Sequence, residues 1–227
     1  MSASPTPVQI TILNGFLGSG KTTLLQNLLV QARALPDVRL AVIVNEMSEL
    51  DVDGRILDIT EILSRQDALF VSIPAGSISS QEGLAQFRAG IDTLRDAGAT
   101  HVVIETSGST HPWPLLQAIN EDQSVRLHGF LSVVDTVTLT QAHDLGRAIL
   151  PKASDNLAQG QRGIENLLAE QIMFANRILL SKMDRVDTDT LRSVAETIHP
   201  INPGADIVGM TWGNVKLTDV LGMPPYD

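Results

Sequence analysis

The chain of 227 residues contains no cysteine, which excludes disulfides and cysteine-ligated metal sites and suits a reducing compartment. It is poor in basic residues: 16 Lys and Arg against 26 Asp and Glu leave a formal charge of −10. That balance argues against a nucleic-acid surface, which needs clustered cations. Aromatics make up only 4% of the chain, with no stacked pattern for bases, and Trp113 and Trp212 are expected to pack. No apolar run approaches the roughly 18 residues that span a bilayer. Residues 1–7 lack a basic segment followed by an apolar one, so no secretory signal is expected. These absences describe a soluble, cytoplasmic protein without membrane or nucleic-acid partners.

What the chain does have is alternation. Runs rich in Val, Ile and Leu at 8–13, 40–44, 69–73, 101–105, 127–134, 177–180 and 205–208 read as strands. Helical spacing is expected over 21–34, 81–97, 113–120, 163–175 and 188–199, as in the Ile164, Leu167, Leu168 and Ile172 face. Short strands apolar on both sides imply a mostly parallel sheet covered by helices on both faces, a single α/β domain over 1–227. Residues 146–163 look most loop-like and mobile.

The densest chemistry lies at 15–22, where Gly15-Phe-Leu-Gly18-Ser19-Gly20-Lys21-Thr22 fits G-x-x-x-x-G-K-[ST] between a strand and a helix. Glycines let the main chain turn and let an anion approach. The loop amides and the helix N-terminus then converge on phosphate oxygens. Lys21 reaches the terminal phosphates, the Thr22 hydroxyl is placed for Mg²⁺, and Ser19 and Thr23 complete the cradle.

A second element, residues 101–108, is an apolar strand ending in Glu105 and then Gly108. Its acid can hold Mg²⁺ directly or through water, and the Gly108 amide can sense a γ-phosphate. A third, residues 177–184, ends in Ser181-Lys182-Met183-Asp184, similar to the N-K-x-D of guanine-nucleotide-binding proteins. A carboxylate at Asp184 accepts from both N1–H and the 2-amino group of guanine, a pair that adenine lacks. The Lys182 stem can lie along the base, while Ser181 in place of Asn removes an amide.

With these elements the chain resembles the CobW-type P-loop GTPases, metallochaperone relatives of the urease and hydrogenase nickel-insertion GTPases. The likeness covers the phosphate loop (14–25), the Val-Asn-Glu-Met-Ser-Glu-Leu-Asp-Val-Asp-Gly stretch (44–54), Ile-Glu-Thr-Ser-Gly (104–108), Ser-Val-Val-Asp (132–135) and the base region (171–184). The resemblance implies a P-loop three-layer sandwich that binds GTP or GDP with Mg²⁺ and hydrolyses GTP slowly. It further implies switch segments at 45–54 and 106–112, a client metalloprotein, and a nucleotide-dependent dimer. By resemblance Glu46 or Asp53 positions water or Mg²⁺ in catalysis, and Glu46 with His111 is a candidate site for a transported metal, zinc or cobalt; a solvated acidic loop and an ordinary polar histidine are the plainer readings. His101, His128, His143 and His199 lack metal-like spacing and read as structural.

Two departures matter. The family's Gly-Cys-x-Cys-Cys metal motif is here Gly76-Ser77-Ile78-Ser79-Ser80, with both natural loss and deliberate replacement compatible with the pattern. Neutral hydroxyls are poor ligands for borderline-soft metals, so a tight zinc site on this motif is not expected. The family's C-terminal domain is also expected to be absent. Two rivals stay open: a nucleotide-dependent protein-binding switch without metal transfer, and a small-molecule kinase using the same loop.

Overall fold

Apolar residues on both sides of each strand require cover on both faces. The computed structural model, which describes residues 6–45, 69–73 and 78–226, has that arrangement. Strands β1 (Val8–Gly15), β2 (Leu40–Asn45), β3 (Leu69–Ile73), β4 (His101–Glu105), β5 (Val125–Asp135), β6 (Arg177–Ser181) and β7 (Asp206–Gly209) form one sheet in the order β3-β2-β4-β1-β5-β6-β7. Every neighbouring pair is parallel. The α-helices among the described residues are α1 (Lys21–Ala32), α2 (Gln81–Asp96), α3 (Pro112–Glu121), α4 (Thr136–Ala142), α5 (Ile149–Ala158), α6 (Ile164–Met173), α7 (Thr188–Ile198) and α8 (Leu217–Leu221).

Side chains alternate across the pleat, so one strand feeds two cores. Ile10 and Ile12 of β1, with Val102 and Ile104 of β4, pack in a cluster with Phe87, Ile91, Leu115, Leu168 and Ile172 from α2, α3 and α6. Leu13, Val103, Leu131 and Leu179 join Leu24, Leu25 and Leu28 of α1 and Val220 of α8 on the opposite face. The result is the expected three-layer α/β sandwich.

Polar side chains set several helix starts. Asp135 Oδ1 accepts from the amides of Val137 and Thr138 to begin α4, and Asp187 Oδ1 accepts from Thr190 N at 2.7 Å to begin α7. Ser80 Oγ does the same for α2, accepting from Gly83 N at 3.0 Å.

The expected loop at 146–163 is instead mostly helix α5. Its polar residues lie on the outside, while Ile149 and Ala153 are buried. Asn166 of α6 then bolts the pair together: its Nδ2 donates to Ala153 O and its Oδ1 accepts from Gly163 N, both at 2.9 Å. The isolated window looks polar because only one narrow stripe faces inward, against α6. Helices α4 and α8, one to two turns long, are too short to show a helical period in the sequence.

His143, after α4, is buried, and its Nδ1 makes no hydrogen bond among the described residues. Burial holds its pKa below the ordinary 6.5; Glu165 Oε1, 3.9 Å away, opposes that shift and Lys152 adds to it. The unfolded chain therefore binds a proton near pH 6.5 that the folded chain still refuses. Stability is unaffected by this group above both values and falls as the pH drops through the unfolded one. Thermal unfolding followed between pH 7.5 and about 5.5 should show Tm decreasing with acidity, and His143→Gln should flatten that dependence.

Candidate functional site

The carboxyl ends of adjacent parallel strands lie side by side, and the register determines which residues meet there. Leu13 pairs with Glu105, Gly15 with Val133, and Asp135 with Ser181. Three motifs dispersed over some 170 residues of sequence thus end along one edge of the sheet, at the crevice where parallel α/β sheets bind ligands.

The phosphate loop leaves β1 at Gly15 and enters α1 through Gly20, which takes φ +104° at the N-terminal cap. A Cβ on Gly15 would sit 2.3 Å from Val133 O, so no other residue fits against β5. Lys21 is almost fully buried; its Nζ donates to Gly15 O at 2.6 Å and to Phe16 O at 2.9 Å, curled over the loop it would share with a phosphate. Ser19 Oγ is buried with no hydrogen-bond partner among the described residues. Such a donor calls for a ligand oxygen.

Thr22 Oγ1 donates to Glu105 Oε1 at 2.7 Å, joining the first turn of α1 to the end of β4. Just beyond Glu105, the chain presses against the phosphate loop: a Cβ on Gly108 would lie 2.6 Å from Leu17 N. Gln171 Nε2 of α6 donates to Gly108 O at 3.3 Å. Ser107 and Thr110 share a 2.8 Å hydroxyl hydrogen bond, and Thr110 Oγ1 reaches Asn45 Oδ1 at the end of β2. Asn45 Oδ1 also accepts from Ile78 N, which draws the serine motif to the same place.

At the other end, Lys182 adopts a left-handed conformation (φ +55°) and its Nζ donates to Asp135 Oδ2 at 2.5 Å. Asp184 is exposed in the turn that follows. Ser181 Oγ donates to Val134 O, so it serves the strand end. A cavity of about 150 Å³ connects this region to the loop, lined by Gly18, Ser19, Gly20, Lys182, Asp184 and Trp212 among others.

Of the expected site residues, Gly15, Gly18, Ser19, Gly20, Lys21, Thr22, Thr23, Glu105 and Gly108 gather at one end and Ser181, Lys182 and Asp184 at the other. Glu46, Asp53 and Ser77 lie outside the described residues. His111 Nδ1 pairs with Glu170 Oε2 at 2.9 Å, and Arg162 binds the other oxygen of that carboxylate at 3.1 Å. Among the described residues no group of three or more His, Asp or Glu could hold a metal ion. The sequence places Asp135 at a strand end and implies packing for Trp212; the structure adds both to the site. Trp212 does not pack, being 72% exposed. Trp113 packs in part, 54% exposed with its ring stacked 5.9 Å from that of Phe174.

A glycine loop between strand and helix, a threonine hydrogen-bonded to a strand-end acid, and a lysine–aspartate turn beside a cavity define a P-loop nucleotide-binding protein. The family description "CobW/HypB/UreG, nucleotide-binding domain" matches residues 9–209. The chain belongs to that family. It is 28% identical over 234 residues to "Zinc-regulated GTPase metalloprotein activator 1" of Dictyostelium discoideum, covering 96% of this chain and 49% of that protein. It is 29% identical over 233 residues to "Zinc chaperone CobW" of Pseudomonas aeruginosa, covering 94% of this chain and 59% of that one. Among solved structures, the Zn(II)-bound YjiA GTPase from E. coli superposes with a TM-score of 0.58 at 22% identity, over 96% of this chain and 63% of that one. The chain thus spans about half the length of the curated relatives it matches. No helix among the described residues is long and apolar enough to cross a membrane.

Overpacking costs about 1–3 kcal/mol where neighbours cannot move. Gly108→Ala should therefore push the loop apart, weaken GDP binding roughly ten- to hundred-fold, and lower Tm by about 2–12 °C. Isothermal titration and a melting curve on the same preparation check both halves.

Proposed function

We propose that this domain binds guanine nucleotides with Mg²⁺ and hydrolyses GTP slowly. The observation that carries the reading is the 2.7 Å hydrogen bond between Thr22 and Glu105, two oxygen ligands from separate elements meeting beside the phosphate loop. A hydroxyl and a carboxylate are the hard oxygen donors Mg²⁺ takes alongside phosphates, and these two residues would hold it. Bound Mg²⁺ supplies charge neutralisation at the β- and γ-phosphates.

The chain's own groups do the rest. The loop amides and Lys21 bind the phosphates, Lys21 exchanging loop carbonyls for phosphate oxygens, and Ser19 Oγ donates to one of them. A water oxygen forms its bond to the γ-phosphorus as the bond to the β–γ bridging oxygen breaks, leaving GDP and phosphate. The Gly108 amide senses the γ-phosphate, and Glu46 or Asp53 would orient the water. Asp184 accepts from the guanine edge, and Lys182, steadied by Asp135, lies along the base. P-loop switches turn over slowly without an activating partner, on the order of 10⁻⁴–10⁻² s⁻¹. Nucleotide state would then be read by a client through residues 106–112.

Metal transfer has less support than switching. Ser79 Oγ donates to His111 O at 2.7 Å and Ser80 Oγ caps α2, so both hydroxyls serve the fold. That supports the reading of a protein-binding switch without thiolate-bound cargo.

Phosphate release from GTP should require Mg²⁺ and stop in excess chelator. Failure to take up GDP or GTP at millimolar Mg²⁺ would overturn the proposal. Asp184→Asn should lower GTP affinity by about 100-fold through loss of two charge-assisted hydrogen bonds. It should also favour xanthosine triphosphate, since the new amide donates to the C2 carbonyl of xanthine; competition against a fluorescent nucleotide measures both. Zinc titration with and without GTP should detect no submicromolar site.

A further inference from the structure

The loop after β7 carries an exposed indole on a rigid mount. Trp212 adopts φ +52°, a left-handed conformation that is a genuine outlier for a bulky residue. Its carbonyl accepts from Asn27 Nδ2 of α1 at 2.9 Å. The next residue, Gly213 (φ +69°), lies so close to α1 that a Cβ would come within 2.8 Å of Leu24 N and Thr23 O. Gln31, one turn further along α1, donates to Val215 O and accepts from Leu217 N, both at 2.8 Å. Met210 N donates to Leu180 O, tying the start of the same loop to β6. The main chain of 210–217 is therefore fastened to α1, the helix that begins in the phosphate loop.

The side chain of Trp212 has no such role in the fold. It is 72% exposed although it is among the most apolar side chains available, and it lines the cavity that joins Gly18–Gly20 to Lys182 and Asp184. A strained backbone that holds an exposed aromatic at a ligand cavity marks a functional position. A purine whose phosphates occupy the loop and whose edge reaches Asp184 has to pass through this cavity. Its flat faces then need partners; the cavity walls include the Lys182 stem, Met210, Arg185 and the Trp212 indole, of which the indole alone is a flat aromatic surface.

We infer that Trp212 is a base-stacking residue, packing its indole on one face of the purine while Asp184 reads the edge. The inference rests on the guanine-nucleotide reading above and adds a division of labour to it. Stacking tolerates any base because every base has a π-face. Trp212 therefore sets how tightly a nucleoside is held, and Asp184 sets which one.

The test uses Trp113→Phe as the parent, leaving Trp212 as the single tryptophan reporter. GDP should quench its fluorescence saturably, and inorganic pyrophosphate, which lacks a base, should not. Trp212→Ala should raise the GDP and ADP dissociation constants by the same factor, roughly 5- to 100-fold, measured by displacement of a fluorescent nucleotide. Pyrophosphate affinity should stay unchanged, and Trp212→Phe should restore most of the loss. GDP binding by Trp212→Ala within twofold of the parent overturns this inference alone. An equal loss for pyrophosphate also overturns it, since that would mark damage to the phosphate loop. Absence of GDP binding by the parent overturns both this inference and the reading beneath it.

Discussion

The phosphate loop works only because main chain can press directly on main chain around it. Gly15 lies where a Cβ would collide with Val133 O, and Gly108 lies where one would collide with Leu17 N. Contacts this close leave no space for side chains, so the loop is gripped between the end of β5 and the segment after β4. The grip matters because amides bind an anion well only when their direction is held in advance; a slack loop would spend binding free energy on ordering itself. Lys21 adds to the preorganisation, closing the loop through Gly15 O and Phe16 O.

Parallel register explains how distant stretches supply one site. Each strand of a parallel sheet ends on the same edge, and each crossover returns the chain through a helix to start again from the far side. Glu105 is level with Leu13, and Asp135 with Ser181, so the Thr22–Glu105 and Lys182–Asp135 pairs follow from strand alignment. The two pairs resemble each other physically: in both, a carboxylate at a strand end orients a side chain from a neighbouring motif. Asp135 does so while its other oxygen begins α4, which leaves its charge well used at a half-closed position.

Much of the fold was legible because strands buried on both faces need unbroken apolar runs, and such runs stand out. The phosphate loop was equally plain, since its chemistry is local to eight residues. Helix α5 was hidden because its apolar stripe is too narrow to see without its partner α6, whose Asn166 makes the join. Trp212 was hidden for a different reason. Nothing in Thr-Trp-Gly says that Gly213 is packed on α1, and without that contact a tryptophan reads as core. The cue available was its position just after a strand on the edge where the other motifs end. His111 is a candidate metal ligand by resemblance and by its place after the second switch, whereas its neighbour Glu170, 59 positions away, can be found only in the folded chain.

The segment after β4 is also where a nucleotide signal would leave the site. Gly108 touches the phosphate loop on one side and accepts from Gln171 of α6 on the other. Three residues on, His111 is bonded to Glu170 of the same helix and to Ser79 at the start of α2. A ligand shifts such a segment only by as much as it prefers one arrangement over another. The fit at Gly108 leaves no room for a side chain against Leu17 N, so this segment and the phosphate loop meet through main chain. A rearrangement that a γ-phosphate imposed on Gly108 would be felt by Gln171, which is hydrogen-bonded to it, and by the adjacent Glu170. That same carboxylate holds Arg162 on the surface before α6, so the motion would reach the exterior through a charged contact rather than through the apolar core. The side chains around Glu170 are thus joined to the segment after β4 by hydrogen bonds and an ion pair.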